Sequence, residues 1–347
     1  MRKMHTLLYS IARAKMRRLP YKLNYAVTYQ CNAQCSICNI WRTYTESPEK
    51  QKEELKLHEI DAIFKNFDLS WVSLTGGEPF LREDLADIAS VIRDTNPHLE
   101  LLSIPTNGSL PHTVFRTVER ILEETEISNI YVSVSLDGDE PLHDRLRGVE
   151  GLWKKARTTY ELLSSIEDDR FNLVLEFTVS KYNAGHLQRA LDSFDVTDYS
   201  GVVLTAAHSS YFYCTEKQKL HEASSVAQVN QFRSLNRGSS LESILPTVYT
   251  CLLEKYIQGD LIPLQCVSGR SSLFLDPYGF LYPCITMEKA FGNLKDSSLL
   301  QLLHTENART IFRTIREGKC PGCWTPCEAY QTILENFPKA LAAAYLR

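Results

Sequence analysis

Three cysteines lie within eight residues near the start of the chain, as Cys31-x3-Cys35-x2-Cys38. Zinc sites usually pair cysteines as two separated Cys-x2-Cys hooks, and a three-residue spacing beside a two-residue one is uncommon among them. A redox site of the thioredoxin type needs a single Cys-x-x-Cys. Three thiolates on one short loop can hold three corners of a cubane [4Fe–4S] cluster, which leaves the fourth iron open to another ligand.

A second group of five cysteines lies towards the end of the chain: Cys266, Cys284, Cys320, Cys323 and Cys327. Between the first two, Asp276-Pro277-Tyr278-Gly279 predicts the turn of a β-hairpin with strands at 271–275 and 280–284. The hairpin brings Cys266 and Cys284 together. The last three cysteines could also form a zinc-bound knuckle.

The composition is that of an ordinary globular protein, with 347 residues, of which 44% are hydrophobic and 23% charged. No apolar run reaches the length of a transmembrane helix, and the N-terminus lacks the apolar stretch and cleavage site of a secretory signal. We therefore expect a cytoplasmic protein in which the clustered cysteines among the ten bind metal rather than form disulfides. The net charge of −4 argues against a nucleic-acid-binding protein of the usual basic kind.

The charge is unevenly distributed, since residues 1–45 contain eight Lys or Arg and no Asp or Glu. Residues 1–18 are predicted to form a basic amphipathic helix that stops before Pro20. One interpretation is a helix that packs on the barrel with its cations in solvent. The other is peripheral contact with an anionic membrane surface, which would present a lipid-linked substrate.

Segments with strand character alternate with helical segments along most of the chain. The predicted strands are 23–29, 71–75, 99–104, 129–136, 171–179 and 201–206. The predicted helices between them are 57–66, 83–94, 112–124, 151–166 and 185–194. This alternation predicts an α/β fold with a parallel sheet and right-handed crossovers. Six units favour an open, partial (β/α)6 TIM-like barrel over a closed barrel with eight units.

The pattern predicts four segments. Residues 1–22 contain the basic helix, 23–208 the partial barrel and 209–260 a helical linker or lid. Residues 261–347 form a C-terminal domain that holds the second cysteine group and ends in a helix near 328–346, interrupted at Pro338.

The motif Gly76-Gly77-Glu78-Pro79 follows directly on the second predicted strand. Together with the first cysteine cluster it resembles the signature of the radical S-adenosylmethionine (SAM) superfamily. The resemblance implies that SAM chelates the open iron of a [4Fe–4S] cluster at Cys31, Cys35 and Cys38. It also implies that an electron from this cluster cleaves the sulfonium bond and releases a 5′-deoxyadenosyl radical, which abstracts hydrogen from a substrate.

The resemblance also implies which residues bind SAM. The paired glycines Gly76 and Gly77 let backbone carbonyls approach the ligand closely. Glu78, before Pro79, accepts a hydrogen bond from the SAM amino group, and Ile37 flanks the adenine. Polar residues after the third and fourth strands contact the ribose or the SAM carboxylate: Asn107, Ser135, Asp137 and Arg147. The alternatives are a simple turn at Asp137-Gly138 and a surface ion pair for Arg147.

The Cys266–Gly279–Cys284 unit resembles the opening of the SPASM/Twitch extensions of radical SAM enzymes. The full SPASM pattern holds two auxiliary [4Fe–4S] clusters and needs a further cysteine downstream, but none follows Cys327. The missing cysteine favours the Twitch type, which holds one auxiliary [4Fe–4S] cluster. Five thiols are then available for the four ligand positions of that cluster. We expect Cys266 and Cys284 to be joined by two of Cys320, Cys323 and Cys327.

We therefore predict a radical SAM oxidoreductase whose auxiliary cluster assists oxidation of the substrate radical. The expected partners are a small-molecule, lipid or peptide substrate and an electron donor such as ferredoxin or flavodoxin. A peptide substrate is less favoured because only thirty residues precede Cys31, too few for a peptide-recognition domain.

Two other functions remain open. In a redox-neutral epimerase, Cys214, just past the sixth strand, would donate a hydrogen atom to the substrate radical. The other interpretation of Cys214 is a packing role, which is also the role expected of Cys251 in its apolar helical segment. From a different class, the protein could be a non-catalytic zinc-binding scaffold.

Overall fold

A computed structural model describes residues 13, 16, 19–215, 218–235 and 241–345 of the chain. The predicted N-terminal helix at 1–18, with its two interpretations, lies outside these residues except for Arg13 and Met16. Arg13 forms an ion pair with Asp68, and Met16 is largely exposed. Among the described helices, none combines the length and apolar character needed to cross a bilayer.

Six parallel strands form the centre of the described structure: β1 (Lys22–Thr28), β2 (Trp71–Gly76), β3 (Leu101–Thr106), β4 (Asn129–Ser135), β5 (Phe171–Val179) and β6 (Val202–Ala206). Each strand pairs with its successor in sequence, so the six lie side by side in chain order. Within the described residues β6 does not return to β1. The strands therefore form the open, partial (β/α)6 barrel that the alternation predicts.

Helices connect these strands: α1 (Arg42–Glu46), α2 (Leu57–Phe64), α3 (Leu85–Thr95), α4 (Pro111–Glu124), α5 (Glu140–Arg147), α6 (Leu152–Ser164) and α7 (Leu187–Ser193). Apolar residues of α2, α3, α4, α6 and α7 cover one face of the sheet. Proline at the first position begins α4, where a missing N–H costs no helical hydrogen bond. Gly148, with φ of +67°, ends α5 in the left-handed conformation. The hydrophobic pattern does not predict α5, whose residues are mostly polar.

The two faces of the strands differ in chemistry. On β1, Leu23, Tyr25 and Val27 belong to the large apolar core that packs against the helices. The alternate residues of β4 and β5 point to the other face and include Ser133 and Glu176, which hydrogen-bond to each other at 2.9 Å. The inner face of the barrel is therefore partly polar, while the outer face supplies the stability.

The remaining described elements lie beyond the barrel: helices α8 (Ala223–Leu235), α9 (Leu241–Gln258), α10 (Leu299–Leu303), α11 (Glu306–Arg316), α12 (Pro326–Glu335) and α13 (Phe337–Tyr345), and strands β7 (Ser272–Leu275), β8 (Phe280–Tyr282) and β9 (Gly292–Asn293). Strand β7 adds to the free edge of β1 in parallel, and β8 pairs antiparallel with β7. The predicted hairpin is thus present, and it extends the barrel sheet. Its Gly279 has a φ of +93°, which favours glycine at this turn.

The terminal helical segment breaks where Pro338 predicts, because α12 ends at Glu335 and α13 starts at Phe337. Trp324, just before α12, is buried and donates from Nε1 to the carbonyl of Tyr249 on α9 at 3.0 Å. Residues 261–345, here called the C-terminal module, share the apolar core of the barrel through Leu281 and Ile333. The module is therefore packed against the barrel rather than tethered to it.

Candidate functional site

Residues 29–41, here called the cysteine loop, follow β1 at the carboxyl end of the sheet. The C-terminal turn of α5 fixes the loop, since Gln34 N–H donates to the Arg147 carbonyl and Ser36 N–H to the Leu146 carbonyl, both at 2.8 Å. A Cβ at Gly148 would lie 2.6 Å from the Gln34 carbonyl oxygen, so this close approach requires glycine. The sequence signal for α5 was weak, yet this helix positions the loop.

The three thiols of the cysteine loop are free and act on one another electrostatically. Burial raises the pKa of Cys31 to about 12, and the charges of Cys35 and Glu78 add to the effect. Burial also raises the pKa of Cys38 above its usual range, with Cys35 and Cys31 contributing. Without a bound cation these groups are therefore neutral thiols, and binding of a metal cluster would favour their thiolate form.

No three His, Cys, Asp or Glu side chains in the part of the chain that the structure describes converge as ligands of one metal ion. A cubane makes a different demand, because each thiolate binds a separate iron atom. Three free thiols on one loop beside a guanidinium match the chemistry of such a cluster. Arg147 supplies that guanidinium, with Nη1 3.9 Å from Cys35 Sγ.

The turn after β2 lies against the start of the cysteine loop. Gly77 N–H donates to the Thr28 carbonyl at 2.9 Å, and Glu78 N–H donates to the Gln30 carbonyl at 2.8 Å. A Cβ on Gly76 or Gly77 would lie 2.0 Å from the carbonyl oxygen of Thr28 or Gln30, respectively. The two glycines are therefore required by the approach of β1, a reason that the sequence analysis did not identify.

The carboxylate of Glu78 points into the protein and is buried at 1% exposure. It accepts hydrogen bonds from Thr106 Oγ1 at 2.8 Å, from Asn107 N–H at 2.6 Å and from Phe80 N–H at 3.3 Å. Burial raises the pKa of Glu78 to about 7, although these three donors oppose the shift. Pro79, also buried, begins the 3-10 turn that supplies the Phe80 donor.

Asn107 lies beside this carboxylate, and its side chain already has protein partners. Its Nδ2 donates to Asn32 Oδ1 in the cysteine loop at 2.9 Å, and its Oδ1 accepts from Ser109 N–H at 2.9 Å. Ser135 ends β4 in register with Glu176 of β5 and is partly exposed. The structure thus ties Asn107 to the loop and leaves Ser135 at the mouth of the barrel.

Asp137 and Arg147 form a buried ion pair next to the cysteine loop. Arg147 Nε donates to Asp137 Oδ2 at 2.7 Å, and Asp137 Oδ1 accepts from Thr178 N–H at 3.1 Å. Asp137 is therefore more than a turn residue, and Arg147 is not a surface ion-pair residue. His143 Nδ1 accepts from Asp137 N–H at 3.2 Å, and burial lowers the pKa of this histidine to about 3, so it is neutral.

Ile37 lies in a small apolar cluster with Cys35, Leu152 and Val149. A second apolar cluster contains residues of both the cysteine loop and the C-terminal module. Its members are mostly aromatic, they include Phe212 and Phe274, and Cys31 and Cys38 pack against it.

In the C-terminal module, the hairpin brings Cys266 and Cys284 close together. Ser268, two residues after Cys266, donates from Oγ to the carbonyl of Pro283 at 2.6 Å. Burial raises the pKa of Cys266 to about 12, and the charges of Cys284 and Cys320 add to the shift. Burial raises the pKa of Cys323 as well, with Cys284 and Cys266 contributing. Cys266 is therefore linked electrostatically to Cys284, Cys320 and Cys323.

Cys327 has different electrostatic neighbours. Burial raises its pKa to about 11, the charge of Lys22 opposes this shift, and the charges of Glu328 and Glu176 support it. Glu176 is the carboxylate on the inner face of β5, so the Cys327 thiol lies towards the barrel. The sequence spacing alone left the choice among the last three cysteines open.

The two remaining cysteines differ in exposure. Cys251 is buried in α9, as expected of a packing residue. Cys214 is exposed, and its carbonyl accepts from Asn39 Nδ2 in the cysteine loop at 3.1 Å.

Two buried titratable residues were not predicted from the sequence pattern: Glu176 on β5 and His208 just after β6. Burial raises the pKa of Glu176, which hydrogen-bonds to Ser133. His208 follows β6, and burial lowers its pKa to about 4. Within the part of the chain that the structure describes, its buried Nε2 has no hydrogen-bond partner. A signal existed for Glu176, since a charged residue inside the apolar strand 171–179 is unusual.

Two family models match the chain in the regions described above. The model of the radical SAM superfamily matches residues 25–173, which span β1 to the start of β5. The model of an iron–sulfur cluster-binding domain, SPASM, matches residues 266–327, the part of the C-terminal module with the five cysteines.

Curated relatives match at low identity. An AdoMet-dependent heme synthase of Methanosarcina barkeri is 24% identical over 334 residues, and the match covers 89% of each chain. A probable GTP 3′,8-cyclase of Archaeoglobus fulgidus is 28% identical over 200 residues, which are 53% of this chain and 63% of that protein.

Solved structures share the fold. Native anSMEcpe with bound AdoMet superposes with a TM-score of 0.59 at 17% identity, covering 94% of this chain and 99% of that one. Streptococcus suis SuiB bound to S-adenosylmethionine superposes with a TM-score of 0.57 at 15% identity, covering 88% of this chain and 70% of that one.

Proposed function

Because the chain belongs to the radical SAM superfamily, with SAM and [4Fe–4S] clusters as cofactors, we propose that it is an oxidoreductase. SAM binds at the carboxyl ends of β1–β4, and the substrate from which hydrogen is abstracted lies in the barrel. One observation carries the proposal: the cysteine loop, the turn at Gly76–Pro79 and the Asp137–Arg147 pair meet at one end of the sheet. That end is where parallel α/β folds hold their ligands.

A [4Fe–4S] cluster held by Cys31, Cys35 and Cys38 supplies, when bound, the electron that cleaves the sulfonium bond of SAM. Arg147 places a positive charge beside Cys35, where it can also attract the SAM carboxylate. Asp137 holds that guanidinium in place. Three acceptor positions of the Glu78 carboxylate are occupied by donors of the protein. A carboxylate has about four such positions, so one remains for the SAM amino group.

The auxiliary [4Fe–4S] cluster is assigned to the four neighbouring thiols of the C-terminal module, Cys266, Cys284, Cys320 and Cys323. A set of four protein ligands makes this cluster an electron carrier rather than a substrate ligand. That role supports oxidation of the substrate radical. Reduction of the first cluster requires an external electron donor of the ferredoxin or flavodoxin kind.

We place the substrate on the inner face of the barrel, between the SAM residues and the auxiliary cysteines. Ser133 and Glu176 line this face, and the charge of Glu176 also reaches the Cys327 thiol. A substrate that donates hydrogen bonds fits such a surface better than a polyanionic one. The redox-neutral epimerase receives less support. A thiol that donates hydrogen to a substrate radical must lie with that radical in a site closed to solvent, and Cys214 is exposed.

Anaerobic reconstitution of the full chain with iron and sulfide, followed by SAM and dithionite, tests the proposal. Wild type should form 5′-deoxyadenosine and bind about eight iron atoms with little zinc, as two [4Fe–4S] clusters require. Cys35→Ala should lose 5′-deoxyadenosine formation. The matched control Cys251→Ala, in the core of α9, should retain it. Persistent SAM cleavage by Cys35→Ala would contradict the assignment, and zinc in place of iron would indicate the scaffold function.

A further inference from the structure

Two buried groups of opposite charge, Lys22 and Glu328, lie beside the C-terminal cysteines and have no part in the SAM chemistry proposed above. Lys22, the first residue of β1, is 1% exposed, and Glu328, in the first turn of α12, is 2% exposed. Charged residues are seldom buried to this degree unless a partner compensates them. Each comes from a different part of the molecule, one from the barrel and one from the C-terminal module.

The ammonium group of Lys22 holds the backbone of the last cysteine. Its Nζ donates to the Cys327 carbonyl at 2.8 Å and lies 3.8 Å from the centre of the Trp71 ring. With its amide oxygen turned towards Nζ, Gln331 accepts a further hydrogen bond at 2.9 Å. These contacts hold Nζ next to the cysteine segment and away from solvent. Burial lowers the pKa of Lys22, and the charges of Cys327 and Glu328 oppose that shift.

The carboxylate of Glu328 has donors around it and thiols beyond them. Ser272 Oγ donates to Oε2, and Asn24 Nδ2 donates to Oε1 at 3.4 Å. Burial raises the pKa of Glu328 to about 7, and its hydrogen-bond donors and Lys22 oppose this shift. The carboxylate is also near enough to act on four cysteines: Cys266, Cys284, Cys323 and Cys327.

A fixed charge near an iron–sulfur cluster changes the equilibrium between its oxidised and reduced forms. Reduction adds one negative charge, so a nearby carboxylate disfavours it and a nearby ammonium group favours it. The charge of Glu328 acts on three of the four thiols assigned to this cluster, Cys266, Cys284 and Cys323.

We propose that Glu328 and Lys22 are positioning residues that set the reduction potential of the auxiliary cluster in opposite directions. The carboxylate lowers the potential and the ammonium group raises it. This inference rests on the proposed function, because it requires an auxiliary cluster at the C-terminal cysteines. Lys22 belongs to the barrel and Glu328 to the C-terminal module. The residues that set the reduction potential of the auxiliary cluster therefore lie where the module packs against the barrel.

The test is a potentiometric titration of the full-length, reconstituted protein at pH 8, followed by EPR. The auxiliary cluster is identified as the one whose signal does not change when SAM is added. The variants are Glu328→Gln, Lys22→Met and the double variant. Glu335→Gln on the same helix serves as a matched control, since its carboxylate accepts from Ser271 instead.

At a fixed ambient potential, Glu328→Gln should raise the reduced-to-oxidised ratio at least tenfold, which corresponds to about 59 mV for one electron. Lys22→Met should lower the ratio by a similar factor. The ratio in the double variant should remain within about threefold of wild type, because the two opposite effects cancel. The ratio in Glu335→Gln should remain in the same range, because a more distant charge is screened.

Shifts of the same sign in both single variants, or none beyond that of Glu335→Gln, would overturn the inference, since a structural role does not depend on charge sign. If Glu328→Gln binds no auxiliary iron, Lys22→Met decides alone: a lower ratio supports the inference, and an unchanged or higher one overturns it. Absence of a second cluster from wild type would instead refute the auxiliary site of the proposed function. SAM cleavage at the first cluster is measured separately in every variant.

Discussion

The approach of the Gly76–Gly77 turn to β1 makes a quantitative prediction for Gly77→Ala. The added Cβ would lie 2.0 Å from the Gln30 carbonyl oxygen and 2.5 Å from its carbonyl carbon. Ordinary contacts begin near about 3.4 Å, so the two backbones must separate by more than ~1 Å. That movement breaks the 2.8 Å hydrogen bond from Glu78 N–H to the Gln30 carbonyl. It also displaces Cys31, the next residue along the chain.

The energetic cost combines overpacking of two backbone segments with a lost buried hydrogen bond. We expect a loss of about 3 kcal/mol in the free energy of unfolding, near the upper end for overpacked sites. The function should suffer more than the fold, because displacement of Cys31 removes one thiolate from the first cluster. We expect roughly half the iron of wild type and no detectable 5′-deoxyadenosine.

Gly201→Ala is the matched control. Its Cβ would lie 3.7 Å from the nearest atom, the Leu173 carbonyl oxygen, which is an ordinary contact. Urea unfolding, iron analysis and a SAM cleavage assay on the two variants give the comparison. Equal, wild-type iron content and activity in Gly77→Ala and Gly201→Ala would show that the close approach of Gly77 to the Gln30 carbonyl does not position the cysteine loop.

Three further predictions concern single side chains. Asp137→Asn should destabilise the fold by about 3 kcal/mol in urea unfolding, since it leaves a buried guanidinium uncompensated. Asp139→Asn, which breaks a pair with the 67% exposed Arg189, should cost less than about 1 kcal/mol, and equal costs for the two variants would refute the difference in burial. Cys323→Ser should lose the auxiliary cluster by iron analysis and EPR, whereas Cys327→Ser should keep it; the reverse result would exchange the two ligand assignments. Burial lowers the pKa of His208 to about 4 from 6.5, so the unfolded chain takes up the proton first. The contribution of this histidine is complete above pH 6.5 and is lost as the pH falls towards 4, by about 2 kcal/mol at pH 5. His208→Gln should lose correspondingly less stability between pH 7 and 5, and parallel pH profiles would contradict this.

The sequence predicted the barrel because its strands are apolar and its helices are amphipathic. The spacing of hydrophobic residues was therefore enough to locate the six strand–helix units. Spacing also located both cysteine groups and the turn at Gly279. These features depend on local chemistry that a short stretch of sequence carries.

The pairings that complete the site could not be predicted, because they depend on tertiary contacts between distant residues. Nothing in the sequence near Arg147 indicates that its guanidinium pairs with Asp137 while its carbonyl holds the cysteine loop. Lys22 belongs by sequence to a basic segment at the N-terminus. It is buried only because β7 joins β1 and brings α12 over it.

The central claim is that SAM binds at the cluster held by Cys31, Cys35 and Cys38. EPR of the dithionite-reduced protein, recorded with and without SAM, tests it most directly. The claim predicts that SAM alters one of two cluster signals in wild type, and that the altered signal is missing from Cys35→Ala while the other remains. A SAM-induced change that persists in Cys35→Ala, or that disappears instead in Cys323→Ser, would contradict it.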